Sequence, residues 1–361
     1  MHSRLFRVAL PVLLFVTEVV AQQHTSTHSQ LDQYVEQVSE LSSRARANVY
    51  FTNPQSIFRG VQVNFVNVGT GNLTFLRRDL VTPGRIPLVF ARVYDSSGRG
   101  SVEFGPGWTL SAAETIVVSE SRAQLLGENG SPIDFAKTAD REFKLEKHFP
   151  SDYSSLRMID QQTIETSLRT GFTKQFQLIN GVFRLTRVTD RNGNSVRLSY
   201  RHGLLARIAN ENHSVTISRD GKGRIISAQD DSNRRIQFSY DSKGRLIEAD
   251  DLGGQPWTYQ YNDDDTLLNA RDPLQRLNFG ASFDDTGHVR RLQLPSGSIQ
   301  FDFNPVTHIT TITDRRNLVS RFFQNDDGIT VRVTNPLNEE TAIGLDEARN
   351  VISLVAKRCC G

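Results

Sequence analysis

The chain has 361 residues, and its 42 Lys and Arg against 40 Asp and Glu give a formal net charge of +2. This balance excludes a strongly basic protein, so we expect no nucleic-acid partner. Cysteine occurs only at Cys359 and Cys360, which excludes a long-range disulfide framework within one chain. The adjacent thiols leave open a vicinal disulfide, an intermolecular bridge or two free thiols.

The first residues predict a signal peptide over residues 1–21. Arg4 and Arg7 precede an apolar run of nine residues, 8–16, and small residues then lead to Ala21. Cleavage is predicted between Ala21 and Gln22. The run is shorter than the roughly 20 residues that a membrane span needs. We therefore expect a secreted protein, whether periplasmic, cell-surface or extracellular, with no transmembrane segment after signal removal.

Residues 22–47 are predicted to form a polar tether followed by an amphipathic helix. Ser29 with Asp32 three residues later is a typical helix start. An apolar stripe then follows helical spacing up to about Arg46. The stripe could bind a partner, but such a helix more often packs on its own domain, and we favour packing. The stripe consists of Leu31, Tyr34, Val35, Val38 and Leu41.

Residues 48–185 form a predicted N-terminal β-rich region of short alternating runs separated by turn residues. One turn, Asn180-Gly181, lies between two such runs, and an Asn-Gly pair in that context is the strongest short-range hairpin signal. The region therefore predicts antiparallel strands joined by tight turns.

Residues 186–350 contain a repeat of about 21 residues, and residues 351–361 are a C-terminal tail. Residues 238–246 serve as the template of the repeat, and Tyr240 is its reference position, which we call the anchor. A polar turn with a glycine follows the anchor, and a second turn lies about ten residues before it. Two turns per repeat leave two strands of about six residues. The eight anchors, spaced 19 to 22 residues apart, are Tyr200, Arg219, Tyr240, Tyr261, Phe283, Phe303, Gln324 and Leu345.

Alternation within the repeats supports strands independently of the period. Ile236, Phe238 and Tyr240 share one face of a strand, and Gln237 and Ser239 share the other. A lone hairpin is marginal in water, so neighbouring units must pair to bury their apolar faces. The predicted fold is all-β: antiparallel hairpin repeats forming a curled sheet or partial β-shell with open edges, and one N-terminal α-helix.

These motifs resemble the RHS/YD-repeat family. The template Tyr-Asp-x-x-Gly-Arg-Leu occurs at residues 240–246, and Asp-Arg-Asn-Gly-Asn at residues 190–194 is a second close match. Upstream, residues 66–74, 87–94 and 104–110 look like the segment that precedes the repeats in bacterial RHS proteins. The resemblance implies a β-sheet ribbon that spirals into a shell, which often encloses a C-terminal toxin; related repeats in animal surface proteins serve adhesion.

The sequence departs from that family pattern in four ways. The anchors Arg219, Gln324 and Leu345 are degenerate, and no Asp-Pro-x-Gly core motif follows the repeats. The number of units is small for a closed shell, and residues 346–361 are too few for a toxin domain. We therefore expect a short form, a partial shell without a cargo of its own.

A search for chemistry predicts no catalytic residue, cofactor site or metal site. The loop that begins at Asp190 carries Ser195 where a calcium loop needs glycine, so its Asp and Asn are interpreted as turn residues. Three aromatic side chains could stack on sugars, but their positions in the apolar and polar alternation of the predicted strands favour the sheet core. They are Trp108, Trp257 and Tyr259.

Three functions are considered. The first is a secreted, non-enzymatic structural or interaction protein acting in adhesion, envelope association or partial toxin encapsulation, with another protein or a glycan on the sheet edge or concave face. The second is a carbohydrate-binding module on the open sheet, which requires aromatic side chains on its solvent face. The third, less favoured, is a cryptic hydrolase with two converging carboxylates.

Overall fold

The structure, a computed structural model, describes residues 61–98, 103–128, 130, 132–146, 153–168, 170–250, 252–345 and 351–357. The predicted signal cleavage at Ala21 and Gln22, the predicted helix, and Cys359 and Cys360 lie outside these residues. Throughout the described part, all regular secondary structure is β-strand, which confirms the all-β class. Among these residues, no helix has the length and apolarity needed to cross a membrane.

The described strands fall into three groups along the chain. We call the first the N-terminal block; it comprises β1 (Gln62–Val63), β2 (Val66–Asn67), β3 (Thr74–Thr82), β4 (Leu88–Asp95) and β5 (Trp108–Leu110), with their connecting loops. Strands β3, β4 and β5 form a three-stranded antiparallel sheet, and β1 pairs with β2.

The second group, which we call the ring, contains eight strands. They are β6 (Thr115–Val118), β7 (Arg122–Leu126), β8 (Pro132–Ala139), β9 (Glu142–Leu145), β10 (Tyr153–Met158), β11 (Thr163–Leu168), β12 (Thr173–Ile179) and β13 (Val182–Thr189). Each pairs antiparallel with the next. The last strand returns to the first, with Phe183 opposite Ile116 and Arg184 opposite Thr115, so this turn of the sheet closes on itself.

The third group, which we call the ribbon, continues from the second half of β13, where Arg187 lies opposite Arg197. Strand β13 thus joins the ring to the ribbon and spans the predicted boundary between residues 185 and 186. The ribbon strands are β14 (Ser195–Arg201), β15 (Leu204–Ala209), β16 (Ser214–Arg219), β17 (Ile225–Asp230), β18 (Arg235–Tyr240), β19 (Leu246–Asp250), β20 (Pro256–Tyr261), β21 (Leu267–Arg271), β22 (Leu277–Phe283), β23 (Val289–Leu294), β24 (Gly297–Asn304), β25 (Ile309–Thr313), β26 (Val319–Gln324), β27 (Thr330–Thr334), β28 (Glu340–Leu345) and β29 (Val351–Lys357).

The hairpin turns form because a short acidic side chain satisfies the backbone of its own turn. Asp241 accepts hydrogen bonds from the Arg245 backbone N–H at 2.9 Å and from the Arg245 guanidinium at 2.7 Å. Gly244 in the same turn has a φ of 85°, a left-handed conformation that favours glycine. The Asp-x-x-Gly-Arg motif is therefore a turn with matched local chemistry.

Alternation along each strand separates an apolar inner face from a polar outer face. In β18, Ile236 and Phe238 are buried, whereas Gln237 and Ser239 are exposed. The inner faces of the ring and ribbon merge with the N-terminal block into one hydrophobic core that extends from Val61 to Ile343. The predicted curled sheet is thus confirmed. The expectation of a partial shell needs correction at the ring, where pairing between β6 and β13 closes the sheet.

Candidate functional site: the anchor row and the N-terminal block

The predicted anchors lie near the ends of alternate ribbon strands, from β14 to β28, and we call them the anchor row. At seven of them the register shifts by a β-bulge; Phe303, opposite Thr310, is paired without a shift. A bulge increases the local twist and redirects nearby side chains. A regular series of bulges therefore gives the ribbon its repeated bend.

The three tyrosine anchors make the same hydrogen bond. Each hydroxyl donates to a backbone carbonyl 15 residues earlier: Tyr200 to Leu185 at 2.6 Å, Tyr240 to Ile225 at 2.6 Å and Tyr261 to Leu246 at 2.7 Å. Burial raises the pKa of all three tyrosines, which keeps each hydroxyl neutral and able to donate. Tyr240 and Tyr261 thereby tie their own repeats to the ones before them, and Tyr200 ties the first repeat to the ring strand β13.

Two anchors that look degenerate in the sequence replace the tyrosine hydroxyl with another donor. The Arg219 guanidinium donates to the Leu205 carbonyl at 3.0 Å, 14 residues earlier. The Gln324 amide reaches the Thr310 hydroxyl at 3.3 Å, also 14 residues earlier, and the Val68 carbonyl at 3.2 Å. A long polar side chain therefore serves the position as tyrosine does. The apolar anchors Phe283, Phe303 and Leu345 instead pack against the core.

The N-terminal block binds the strands that follow the anchors. Three return strands donate the N–H of their first residue to it: Ile225 to the Glu103 carbonyl at 2.9 Å, Leu267 to the Tyr94 hydroxyl at 2.7 Å and Val289 to the Gly71 carbonyl at 2.8 Å. Because the block accepts the hydrogen bonds of these N–H groups, the contact fixes the position of the ribbon strands along the block in addition to burying apolar side chains.

Glu103 connects three parts of the ribbon to the block. Its carboxylate pairs with Arg219 at 3.1 Å, and its carbonyl accepts the N–H of Ile225. The Tyr240 hydroxyl lies 3.0 Å from the same carbonyl and 2.6 Å from that of Ile225, so its single proton can serve either acceptor. Glu103 thus holds two successive anchors in place.

A buried ion pair lies at the centre of this contact. Arg92 and Asp79 form two hydrogen bonds of 2.6 and 2.9 Å, and Arg92 also donates to the Tyr259 hydroxyl at 3.3 Å. The guanidinium carbon lies 5.0 Å from the Trp108 ring centroid and 5.2 Å from that of Phe238. Burial opposes the charge, but Asp79 outweighs it and raises the pKa of Arg92. The Arg92 guanidinium therefore stays charged inside the core.

Aromatic side chains fill the space between block and ribbon. Trp108 contacts Tyr259 at a centroid distance of 5.2 Å, and Phe75 lies 6.2 Å from Trp257. Trp108 and Tyr259 are buried and Trp257 is half-buried, under the Arg77 guanidinium at 4.1 Å. The three aromatics that could have stacked on sugars are thus part of the core, as their strand phase indicated.

The ring contains a second buried charge cluster. Lys174 lies 2.5 Å from the Glu114 carboxylate, 3.1 Å from the Tyr153 hydroxyl and 3.7 Å from the Glu128 carboxylate. Glu114 also accepts a hydrogen bond from Tyr153 at 2.7 Å. The cluster joins β10 and β12 to residues flanking β6 and β7, so it spans the ring in addition to the backbone pairing.

The acidic turn residues bond their own backbone. Asp190 accepts hydrogen bonds from the backbone N–H groups of Asn192 and Asn194, both at 2.9 Å. Its remaining oxygen accepts from the Asn194 amide at 2.7 Å, and these bonds lower the pKa of Asp190 against the opposing effect of burial. Over the described ranges, no group of three or more His, Cys, Asp or Glu is arranged to hold a metal ion.

Comparison with protein families gives two matches. A model described as a domain of unknown function, DUF6531, matches residues 63–135, and a model described as the teneurin YD-shell matches residues 180–343. No curated protein matches the chain.

Solved structures of Tc toxin components are among those similar to this chain. A TcdB2-TccC3-Cdc42 structure is 12% identical, with a TM-score of 0.36 over 65% of this chain and 16% of that chain. A Photorhabdus luminescens Tc holotoxin pore structure is 11% identical, with a TM-score of 0.36 over 73% of this chain and 16% of that chain. This protein therefore spans less than a fifth of the length of either chain.

The hairpin repeats, the anchor row and the closed first turn define a β-shell protein of structural type. With family models matching both the upstream segment and the repeats, the chain is an RHS/YD-repeat protein.

Proposed function

We propose that this protein is a secreted, non-enzymatic scaffold that binds partners through the outer face of its ribbon. The observation that carries this proposal is the filled inner face: the N-terminal block occupies it and forms one continuous core with it. Contacts such as Phe90 with Phe238 and Phe75 with Phe279 lie between the two. Secretion follows from the predicted signal peptide.

The filled interior favours adhesion or envelope association over encapsulation by this stretch of the ribbon. A cargo enclosed there would have to displace buried groups such as Trp108 and Arg92, both fully buried. Displacing them would expose apolar surface and separate the Arg92 guanidinium from Asp79, which is costly. The polar outer face carries no such cost.

The two alternative functions have less support. A carbohydrate-binding module that stacks sugars needs exposed aromatics, yet the exposed large apolar side chains of the described part are all aliphatic. A hydrolase needs two converging carboxylates, whereas the buried Asp79 and Glu114 are each held in an ion pair. Most of the remaining Asp side chains lie in hairpin turns.

The test is binding and turnover by the purified full chain. The chain would be used to capture partners from the exported fraction of its host, and assayed in parallel against general glycosidase and peptidase substrates. We expect saturable capture of a partner without turnover. Turnover of any substrate that is lost on mutation of one carboxylate would overturn the proposal, and so would the absence of any partner.

A further inference from the structure

Three arginines form an exposed row on the outer face at the start of the ribbon. Arg187 on β13, Arg197 on β14 and Arg207 on β15 are all exposed, and we call them the arginine strip. Arg187 lies directly opposite Arg197, and Arg207 is opposite Ser199, two residues from Arg197 on the same face. The Cβ atoms of directly opposed residues are about 5 Å apart and those of diagonal neighbours about 7 Å.

The strands that carry the strip, and the strand on either side of them, hold no acidic residue. Strands β12 to β16 carry seven Lys or Arg and no Asp or Glu. Within the described part of the chain, Arg187, Arg197 and Arg207 have no hydrogen bond, ion pair or ring contact from their side chains. Other ribbon arginines differ: Arg224 and Arg245 each pair with the Asp four residues earlier at 2.7 Å.

A nearby arginine on the ring shows the ordinary arrangement. Arg157 on β10 is exposed, and it lies opposite Glu142 on β9 and opposite Glu165 on β11. Opposite charges across strands stabilise a sheet, whereas like charges directly opposite each other destabilise it. The pairing of Arg187 with Arg197 therefore costs stability, and the fold does not require it.

From this geometry we infer that the arginine strip is a binding site for an acidic polysaccharide. This inference rests on the proposed function, because it takes the outer face as the interaction surface. Guanidinium groups form paired hydrogen bonds with carboxylate and sulfate-like oxyanions. The spacing of the strip presents three such groups in a row to a polymer that carries several negative charges.

The surroundings of the strip select a glycan over other polyanions. Single-stranded nucleic acids bind on aromatic platforms, and exposed aromatics are lacking among the large apolar side chains of the described surface. Protein interfaces have an apolar centre, yet no exposed large apolar residue of the described chain lies on β12 to β16. The immediate neighbours are the exposed hydroxyl residues Ser199, Thr216 and Ser218.

The experiment compares two variants of the full chain with the same change in net charge. In the strip variant, Arg187, Arg197 and Arg207 are replaced by Gln; in the control, the exposed residues Arg276, Arg290 and Arg321, which lie farther along the ribbon, are replaced by Gln. The probe is immobilised heparin, with polyglutamate and a single-stranded oligonucleotide as comparison ligands. Dissociation constants are measured at about 50 and 200 mM salt, over which electrostatic binding weakens steeply.

We expect the unmodified chain to bind heparin in preference to the two comparison ligands, and to bind it less tightly at the higher salt concentration. The strip variant should bind at least about tenfold more weakly, and the control within about twofold of the unmodified chain. The melting temperature of the strip variant should be unchanged or higher, because a like-charge contact is removed.

Several outcomes would overturn the inference: no heparin binding, equal losses in the two variants, or equal affinity for polyglutamate or the oligonucleotide. A strip variant that no longer binds heparin but still captures the partner from the exported fraction would refute the role of the strip in that interaction. It would leave the proposed scaffold function intact.

Discussion

The ring and the ribbon are built from the same antiparallel hairpins but complete their cores differently. In the ring, β6 pairs with β13, and the Glu114 and Lys174 cluster joins the opposed strands. In the ribbon, the inner face is instead completed by the N-terminal block through Arg92, Glu103 and a set of aromatic contacts. An array of hairpin repeats can thus be stabilised by pairing its last strand with its first, or by packing on a separate block. In the second case, a few residues of the block contribute much of the stability.

The largest expected effect comes from breaking the ion pair between block and ribbon. Asp79→Ala leaves the fully buried Arg92 with Tyr259 as its remaining hydrogen-bond partner. Leaving one partner of a buried pair uncompensated costs about 3–5 kcal/mol. We expect a loss of that size in the free energy of unfolding, measured by denaturant titration.

Two controls test whether the effect belongs to the block. Arg276→Ala removes an exposed ion pair with Asp272 and should cost less than about 1 kcal/mol. Glu114→Ala in the ring should cost less than Asp79→Ala, because Lys174 keeps Glu128 and Tyr153 as partners. If Asp79→Ala cost no more than Arg276→Ala, the block would not stabilise the ribbon through this pair.

The next largest effect is steric. Gly105 in the block has a φ of 88°, and a Cβ there would lie 2.4 Å from the Gly244 carbonyl of the ribbon. Gly287 has a φ of 86° but open space around its Cβ position. Both substitutions strain the backbone, but only Gly105→Ala also creates a steric clash. Gly105→Ala should therefore destabilise the protein by roughly 2 kcal/mol more than Gly287→Ala. Equal melting temperatures of the two variants would show that the block is displaced at no cost.

The local part of this architecture could be predicted from the sequence. The turns depend on Asp and Gly residues within a segment of five, and the strands on an apolar and polar alternation with a period of two. Both patterns can therefore be recognised in a short stretch of sequence. Arg219 and Gln324 look degenerate in the sequence because the template is defined by residue type. Their function depends on a donor that reaches a carbonyl or hydroxyl 14 residues earlier, which arginine and glutamine provide as well as tyrosine.

The long-range part could not be predicted. Closure of the ring joins Ile116 to Phe183, and the block contacts join residues such as Tyr94 and Leu267, 173 positions apart. No periodicity in the sequence indicates either contact. The overall charge balance also concealed the arginine strip, because acidic residues elsewhere in the chain compensate for it.

A smaller effect separates the contribution of the block from that of the repeat itself. Tyr200→Phe removes a hydroxyl whose hydrogen bond goes to the Leu185 carbonyl in the ring half of β13, whereas the hydroxyl of Tyr240 also lies near the Glu103 carbonyl. Each loss should cost about 1 kcal/mol. The cost for Tyr240→Phe should be the greater, measured by chemical denaturation, and the reverse order would show that Glu103 adds nothing at this anchor.

The smallest effect is a pH dependence that belongs to the ribbon turns. Hydrogen bonds from Arg245 lower the pKa of Asp241 against the opposing effect of burial. The unfolded chain, with an Asp pKa of about 3.9, therefore binds protons first as the pH falls, and stability declines below about pH 4. In Asp241→Asn, the free energy of unfolding should fall less over this pH range than in the unmodified protein. The difference should be less than about 1 kcal/mol, because the turn is at the surface. Lys243→Gln in the same turn leaves the Asp241 carboxylate and its Arg245 hydrogen bonds in place and should retain the full slope. Equal slopes for all three proteins would contradict the assignment.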